Sequence, residues 1–224
     1  MMRTILIVTT SHDELAPGHA TGLWFDEFAI PYQRFREAGF EIKVASPRGG
    51  PVPLDPKSLD AVELVGPAAV AAQQALDHTI ALDESVHHEP YVALFFPGGH
   101  GTMYDLPDNP HVQRLVTDFL SHDKVLGAVC HGPACLVGAM LADGTPAVSG
   151  RRVAAFTNSE EKGVGLDASV PFLLQDRLQS RGGELDSAED WAEHVVVDGR
   201  LVTGQNPQSS RGVADAMVRL LRGA

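Results

Sequence analysis

Cysteine is scarce in this chain, and the sequence has no long apolar run and no nucleotide-binding glycine motif. Two cysteines among 224 residues cannot form a disulfide framework, which indicates a reducing compartment. No run approaches the roughly 18 apolar residues that a membrane-spanning helix needs. The N-terminal apolar stretch is too short for a signal peptide. These absences predict a cytoplasmic protein.

Positive charge is also in deficit. The chain carries 17 Lys and Arg residues against 29 Asp and Glu residues, which gives a formal net charge of -12 at pH 7. Because such a surface repels nucleic acids and anionic membranes, we expect neither as a partner and expect a small-molecule substrate instead. No Pro-rich or Ser-rich linker divides the sequence, so we expect a single domain over residues 1–224.

Short apolar runs alternate with helical patterns along the chain. Predicted strands occupy Thr4–Val8, Glu41–Ala45, Tyr91–Phe96, Val125–Val129 and Arg152–Phe156. Predicted helices occupy Phe28–Ala38, Gly66–Asp77, Asn109–His122, Pro133–Leu141, Val170–Arg181 and Pro207–Leu221. This alternation predicts an α/β fold with a doubly wound, mostly parallel sheet sandwiched by helices. Asp198-Gly199, between apolar runs at 194–197 and 200–202, predicts a hairpin that adds an antiparallel strand.

Cys130 stands where a predicted buried strand turns into the predicted helix Pro133–Leu141, and His131 follows it directly. The free N–H groups and positive end of a helix favour a thiolate, which is the nucleophilic form of cysteine. The layout resembles the nucleophile elbow of α/β hydrolases, with sulfur in place of oxygen. Free cysteine is otherwise a small core hydrophobe. We assign that role to Cys135, inside the predicted helix.

Ligands of open parallel sheets collect at the carboxyl ends of the strands, where a glycine-rich turn follows Tyr91–Phe96. The turn contains Gly98 and Gly99 and lacks the G-x-G-x-x-G and G-K-[ST] patterns of nucleotide sites. A plain turn is one interpretation. We favour a substrate-binding role in which the backbone N–H groups of Gly99 and His131 stabilise an oxyanion. We expect no cofactor and no metal, since the His-His-Glu sequence at 87–89 has no common metal-ligand spacing and suits a surface loop.

Two segments carry a family resemblance. FFPGGHGTMYDL at 95–106 and GAVCHGPACL at 127–136 are similar, in order and spacing, to the signature turns of the ThiJ/PfpI superfamily. That superfamily is a branch of the class I glutamine amidotransferase-like, flavodoxin-like fold. Segments that begin at Gly22 and Leu201 resemble its subgroup of small chaperone-like, glutathione-independent glyoxalases, the glyoxalase III type. The resemblance covers nearly the whole chain and implies a homodimer.

The resemblance implies Cys130 as the nucleophile, His131 as its neighbouring base or acid, and Glu27 as a carboxyl group near the sulfur. Glu27 lies in the mostly apolar sequence GLWFDEF. Burial there would raise its pKa, so that it could hydrogen-bond the sulfur or move a proton. A helix N-terminal acid is the other interpretation, and Asp26 fills that role equally well.

The third member of the implied triad comes from the sequence FTNSEEK. Glu161 aligns best with the acid of the subgroup and Glu160 is the second choice; either carboxylate would orient the ring of His131. Four further residues lie in loops that we expect near the same edge of the sheet. They are His19, Asp190, Trp191 and His194, and for Trp191 we favour a structural role.

The activity that the resemblance implies is conversion of methylglyoxal and related 2-oxoaldehydes to hydroxy acids without glutathione, a lyase reaction that detoxifies methylglyoxal under stress and forms D-lactate. Cys130 would add to the aldehyde as a hemithioacetal, and Glu27 or His131 would move a proton between the adjacent carbons. One alternative is a hydrolase, namely an amidase, peptidase or deglycase that uses the same side chains. Another is a holding chaperone in which Cys130 is reversibly oxidised.

Overall fold

The computed structural model describes residues 3–60 and 62–223. The strands are β1 Thr4–Val8, β2 Glu14–Ala16, β3 His19–Ala20, β4 Glu41–Ser46, β5 Ile80–Ala81, β6 Tyr91–Phe96, β7 Val125–Val129, β8 Arg152–Val153, β9 Glu184–Leu185, β10 Val195–Asp198 and β11 Leu201–Gly204. The α-helices are α1 Phe25–Glu37, α2 Pro67–Asp77, α3 Thr102–Asp105, α4 Pro110–Ser121, α5 Asn158–Gly163, α6 Leu174–Ser180 and α7 Ser210–Arg222. Short 3-10 helices span Pro56–Leu59, Gly132–Leu136 and Pro207–Ser209.

Seven strands form the central sheet in the order β10-β11-β7-β6-β1-β4-β5. Neighbouring strands are parallel, except that β10 and β11 form the antiparallel hairpin predicted around Asp198-Gly199. β1, β6 and β7 have the predicted bounds, and β4 runs on to Ser46. The mostly parallel sheet predicted from the sequence is therefore confirmed.

Helices cover both faces of this sheet. In β1, Leu6 and Val8 pack in the core cluster that includes α4 and α6, whereas Ile5 and Ile7 pack in the cluster that includes α1, α2 and α7. All four side chains are fully buried, as a strand covered on both faces requires. The doubly wound α/β class is confirmed. Within the described ranges, no helix has both the length and the apolar character needed to cross a membrane.

The strand predicted over Arg152–Phe156 is wrong beyond its first two residues. β8 pairs with β9 in a separate two-stranded sheet and does not extend the central one. The following residues use their N–H groups for single hydrogen bonds: that of Ala154 donates to the Thr203 hydroxyl at 2.8 Å, and that of Phe156 donates to the Cys130 carbonyl at 3.0 Å. The segment is thus fixed to the end of the sheet without a continuous ladder.

The helix predicted over Pro133–Leu141 is also wrong, because only the 3-10 helix Gly132–Leu136 forms. Beyond it the chain pairs with a later segment. Leu141 N–H donates to the Thr145 carbonyl at 2.8 Å, and Ala147 N–H donates to the Ala139 carbonyl at 2.9 Å. The Leu141 N–H, which a helix ending at Leu141 would donate to the carbonyl of Val137, is therefore already occupied. The helix predicted over 170–181 is likewise shorter, since α6 begins at Leu174.

Helix α1 begins at Phe25, earlier than the predicted Phe28, with Trp24 as its N-terminal flanking residue. The early start places Glu27 in the first turn of the helix, where it is fully buried. Helices α3 and α5 were not expected from the sequence. Both follow strand-end loops, and α5 carries the two candidate triad acids.

Candidate active site

Cys130 lies at the turn that follows β7. Its φ of 59° is in the left-handed region, which residues other than glycine rarely adopt. Two backbone hydrogen bonds hold this conformation: Cys130 N–H donates to the Gly204 carbonyl at 2.9 Å, and the Cys130 carbonyl accepts from Phe156 N–H at 3.0 Å. Strain of about 1–3 kcal/mol is typical of such residues and persists where surrounding contacts impose it. The geometry is that of a nucleophile elbow.

A chain of close contacts runs from Cys130 to Glu161. The Sγ atom of Cys130 lies 3.3 Å from His131 Nδ1, and His131 Nε2 lies 2.7 Å from Glu161 Oε2. All three side chains are buried. Helix α5 brings Glu161 to this position, so the structure places Glu161 and not Glu160 against the imidazole.

Glu160 binds the surrounding loops instead. Its Oε2 accepts from the N–H of Thr157 at 3.0 Å, within a capping box at the start of α5. Its Oε1 accepts from Trp191 N–H at 2.9 Å, from Asn206 Nδ2 at 2.9 Å and from Gln205 Nε2 at 3.1 Å. A buried carboxylate needs such donors. Glu160 therefore holds three loops together at the sheet edge.

Glu161 is ionised and His131 is neutral at pH 7. Burial alone raises the pKa of Glu161, but the contacts with His100 and His131 outweigh it and lower that pKa to about 2. Burial and the neighbouring His100 lower the pKa of His131 to about 4. Because an ionised carboxylate can only accept, His131 Nε2 carries the proton and Nδ1 presents its lone pair to Cys130 Sγ.

His100 is a second imidazole on the same carboxylate, and it was not among the site residues predicted from the sequence. Its Nε2 lies 2.7 Å from Glu161 Oε1, and its ring centroid lies 4.1 Å from that of His131. The clue in the sequence is its place directly after Gly99, in a loop already expected at the carboxyl edge. Glu161 thus bridges two buried histidines.

His100, His131 and Glu161 also form a group that could hold a metal ion, since their ligand atoms all lie within 4.8 Å of one another. Each carboxylate oxygen is already hydrogen-bonded to one imidazole. A cation would have to displace the protons in both bonds, because metal ligands must be deprotonated. The positions of the donors favour the hydrogen-bonded chain.

Glu27 adjoins Cys130 from the first turn of α1. Burial raises the pKa of Glu27 to about 8, although its contacts with Cys130 and Gly98 lower it, so the carboxyl group is protonated at pH 7. Its Oε2 accepts from Gly98 N–H at 2.8 Å. Within the described ranges Oε1 has no hydrogen-bond partner, although Glu27 lies near enough to Cys130 for the thiol to lower the pKa of the carboxyl group. The predicted rise in the pKa of Glu27 is confirmed.

The prediction of a thiolate stabilised by a following helix is wrong for the resting site. Burial, and after it the nearby carboxyl group of Glu27, raises the pKa of Cys130 well above that of an exposed cysteine. The expected helix is only the 3-10 segment Gly132–Leu136, which aligns few peptide dipoles. The resting sulfur is a thiol beside the unprotonated nitrogen of His131.

The two glycines of the expected oxyanion site differ in their contacts. Gly98 N–H donates to Glu27, so it holds that carboxyl group and is not free to bind a substrate oxygen. Gly99 has a φ of 92°, and a β-carbon there would lie 2.3 Å from the carbonyl oxygen of Gly22. Among the described residues, the N–H groups of Gly99 and His131 have no protein hydrogen-bond partner. The N–H groups of Gly99 and His131 are therefore available to a substrate oxygen, and that of Gly98 is not.

A cavity of about 280 Å³, which we call the thiol cavity, opens over these groups. It is lined by Trp24, Asp26, Ile30, Glu63, Gly99, His100, Cys130, His131, Phe156, Val164, Trp191, Pro207 and Gln208. Trp191 contacts Phe156, with ring centroids 5.7 Å apart, and is 41% exposed. Both tryptophans of the chain therefore lie on the wall of the cavity.

Two other residues that the sequence predicted near the site form hydrogen bonds away from the thiol. His194 Nε2 lies 3.0 Å from an oxygen of Asp186, and Asp190 accepts a hydrogen bond from the Ser159 hydroxyl at 2.7 Å. Cys135 is fully buried in the core, which confirms the packing role predicted for it.

Fold and site together define a flavodoxin-like α/β protein with a cysteine elbow at the carboxyl edge of its sheet. Residues 25–220 match the DJ-1/PfpI family, and the chain belongs to this family. The resemblance noted in the sequence is thereby confirmed.

Relatives match over nearly the whole chain. A glutathione-independent glyoxalase of Schizosaccharomyces pombe is 30% identical over 237 residues, which cover 97% of this chain and 95% of that protein. The crystal structure of glyoxalase III from Candida albicans has 27% identity and a TM-score of 0.87, and the match covers 97% of this chain and 96% of that one. The Rapid Encystment Protein 24 KDa of Francisella tularensis has 34% identity and a TM-score of 0.92 over 98% of this chain and 99% of that one.

Proposed function

We propose that this protein is a glutathione-independent glyoxalase that converts methylglyoxal and related 2-oxoaldehydes to 2-hydroxy acids. The observation that carries the proposal is the convergence of an unprotonated imidazole nitrogen and a protonated carboxyl group on one buried thiol, that of Cys130. The reaction needs a nucleophile, a base and a group that moves a proton between two carbons. The glyoxalases among its relatives support the same reaction.

The first step is addition of the thiol to the aldehyde carbon. Cys130 transfers its proton to His131 Nδ1, 3.3 Å away, as Sγ forms a bond to that carbon. The N–H groups of Gly99 and His131 stabilise the negative oxygen that results. Glu27 then gives its proton to this oxygen. The product is a neutral hemithioacetal, with His131 protonated and Glu27 ionised.

The second step moves hydrogen between the two carbons. The Glu27 carboxylate removes the proton from the former aldehyde carbon, and protonated His131 gives its proton to the ketone oxygen, which yields an enediol. Glu27 then delivers its proton to the second carbon and takes the hydroxyl proton from the first. The result is a thioester of a 2-hydroxy acid, with both side chains in their starting states.

Hydrolysis completes the cycle. His131 takes a proton from water, the resulting hydroxide attacks the thioester carbon, and the departing sulfur recovers the proton from His131. Ionised Glu161 stabilises the transient imidazolium through its 2.7 Å contact with Nε2. We infer a lyase of glyoxalase III type, with D-lactate as the product from methylglyoxal. The homodimer and the cytoplasmic location remain predictions.

The test is lactate formation from methylglyoxal in buffer without glutathione, with an assay specific for each lactate enantiomer. We expect Cys130→Ala to reduce kcat/KM at least thousandfold and its matched control, Cys135→Ala, to stay within about twofold of the wild type. Retained activity in Cys130→Ala would contradict the proposal. Parallel assays with a glycated amino acid and a peptide amide test the hydrolase alternative, which uses the same triad; faster turnover of either compound would favour it.

A further inference from the structure

A second cavity, of about 410 Å³, adjoins the thiol cavity. We call it the side cavity. Three residues, Trp24, His100 and Val164, line both cavities. Because His100 contacts Glu161, the side cavity begins at the triad and not at a remote surface. The two cavities therefore lie side by side and share the walls formed by Trp24, His100 and Val164.

The walls of the side cavity are mainly apolar. The β2–β3 hairpin contributes Leu15, Ala16 and Ala20, and Leu166 follows helix α5. The remaining lining residues are Gly18, His19, Asp55, Pro56, Lys57 and Ser169, together with the three shared with the thiol cavity. Exposed His19 thus lies at this cavity and not beside the thiol. A cavity of this composition binds an apolar group better than a charged one.

The size of the combined space exceeds what methylglyoxal can fill. Small-molecule sites usually measure roughly 300–1,000 Å³ and enclose most of their ligand. The thiol cavity alone holds about 280 Å³, and the side cavity adds about 410 Å³. Methylglyoxal carries only a methyl group beside its two carbonyl groups, so it leaves the apolar walls at Leu15 and Leu166 without a contact.

We propose that the side cavity is a substrate subsite that binds the substituent R of 2-oxoaldehydes R–CO–CHO, with R an aromatic or large branched apolar group. This inference rests on the proposed function and specifies its substrate class. The aldehyde carbon bonds to Cys130, the carbonyl oxygens lie near the N–H groups of Gly99 and His131, and R passes Trp24 into the side cavity. Burial of R then contributes to kcat/KM through contacts that methylglyoxal cannot make.

The test compares kcat/KM for phenylglyoxal, measured as mandelate formation, with kcat/KM for methylglyoxal, measured as lactate formation. In the wild type we expect kcat/KM for phenylglyoxal to be about tenfold higher than kcat/KM for methylglyoxal. Ala16→Phe and Ala20→Phe fill the side cavity from two positions of the hairpin. Each should lower the ratio about tenfold and raise the inhibition constant of acetophenone against methylglyoxal by a similar factor.

Ala71→Phe is the matched control, because Ala71 lines a groove between α1 and α2 and not the side cavity. It should leave the ratio unchanged. Lactate formation with the same ratio in all four proteins would overturn the side-cavity proposal and leave the proposed function standing. Absence of any hydroxy acid from either aldehyde would overturn both. The subsite would also be contradicted if only one hairpin variant lowered the ratio of the two kcat/KM values and neither variant changed the inhibition constant of acetophenone.

Discussion

Cys130 and Cys135 lie in one short segment, and both are buried free cysteines. Burial raises the pKa of each thiol well above the ordinary value. Their surroundings differ: Cys130 has a left-handed backbone, a histidine nitrogen and a carboxyl group beside it, whereas Cys135 packs in the apolar core. Burial is common to both, so reactivity depends on the polar groups that touch the sulfur and on access to a cavity.

The largest expected effect on kcat comes from removing the negative charge of Glu161, which contacts His131 beside Cys130. Glu161→Gln takes away the carboxylate that fixes the tautomer of His131 and stabilises its protonated form. We expect kcat for methylglyoxal to fall by about 10²- to 10⁴-fold, the range for general acid-base groups. Glu184→Gln, on the exposed strand β9, is the control and should leave kcat unchanged. Equal kcat values for the two variants would show that Glu161 has no role in catalysis.

The pH dependence of activity tests the protonation states around Cys130. The proposed mechanism needs neutral His131, whose pKa is about 4, and protonated Glu27, whose pKa is about 8. The kcat/KM for methylglyoxal should therefore be constant between about pH 4 and pH 8 and fall on either side, by about tenfold for each further pH unit. A profile that rises through pH 8 would instead indicate that a thiolate is the form required.

The raised pKa of Glu27 also predicts how the stability of the protein changes with pH. Since the pKa of Glu27 is raised from 4.5 to about 8 in the folded protein, the unfolded chain loses this proton at lower pH than the folded one. Between those values the folded state binds more protons, so the free energy of unfolding falls as pH rises. Glu27→Gln removes this contribution. The free energy of unfolding of Glu27→Gln minus that of the wild type, measured by denaturant unfolding, should therefore increase from pH 5 to pH 8. A difference that does not change with pH would contradict the raised pKa of Glu27.

His100 offers a smaller effect because it acts through Glu161. His100→Phe removes one hydrogen bond from the carboxylate and the neighbouring imidazole that helps to lower the pKa of His131. The pKa of His131 should then rise, so the acid limb of the pH profile moves to higher pH, with about tenfold lower kcat. His100→Gln keeps an N–H donor and should restore part of the loss. No movement of the acid limb in His100→Phe would assign His100 a merely structural role.

The smallest expected effect is on stability, and it depends on the different backbone conformations of Cys130 and Cys135. At Cys130, with φ of 59°, glycine should be more stable than alanine by about 1 kcal/mol, because only glycine adopts this region without strain. At Cys135, within the 3-10 helix Gly132–Leu136, alanine should be more stable than glycine by a similar amount. Thermal unfolding of the four variants measures both differences. If the glycine variant were more stable than the alanine variant at both positions, or less stable at both, the result would contradict backbone strain at Cys130.

Much of the fold was predictable from the sequence because the apolar runs are local and clear. β1, β6 and β7 were predicted residue for residue. The hairpin near Asp198-Gly199 was predicted with apolar runs at 194–197 and 200–202, whereas its strands are Val195–Asp198 and Leu201–Gly204. Predictions failed where later segments compete for backbone groups. Residues 139–147 pair with each other where a helix was expected, and the segment after β8 bonds singly to Thr203 and Cys130.

The sequence by itself determined the doubly wound sheet and the position of Cys130 after a buried strand, since hydrophobic periodicity and strand length are local properties. The strand-end position of the glycine-rich turn also predicted roles for Gly99 and His131, and the family resemblance added Glu27. Only the tertiary structure decided that Glu161 and not Glu160 contacts His131, that His100 shares that carboxylate, and that Gly98 holds Glu27. Hydrogen-bond partners and desolvation depend on segments far apart in the chain, and these set each pKa at the thiol.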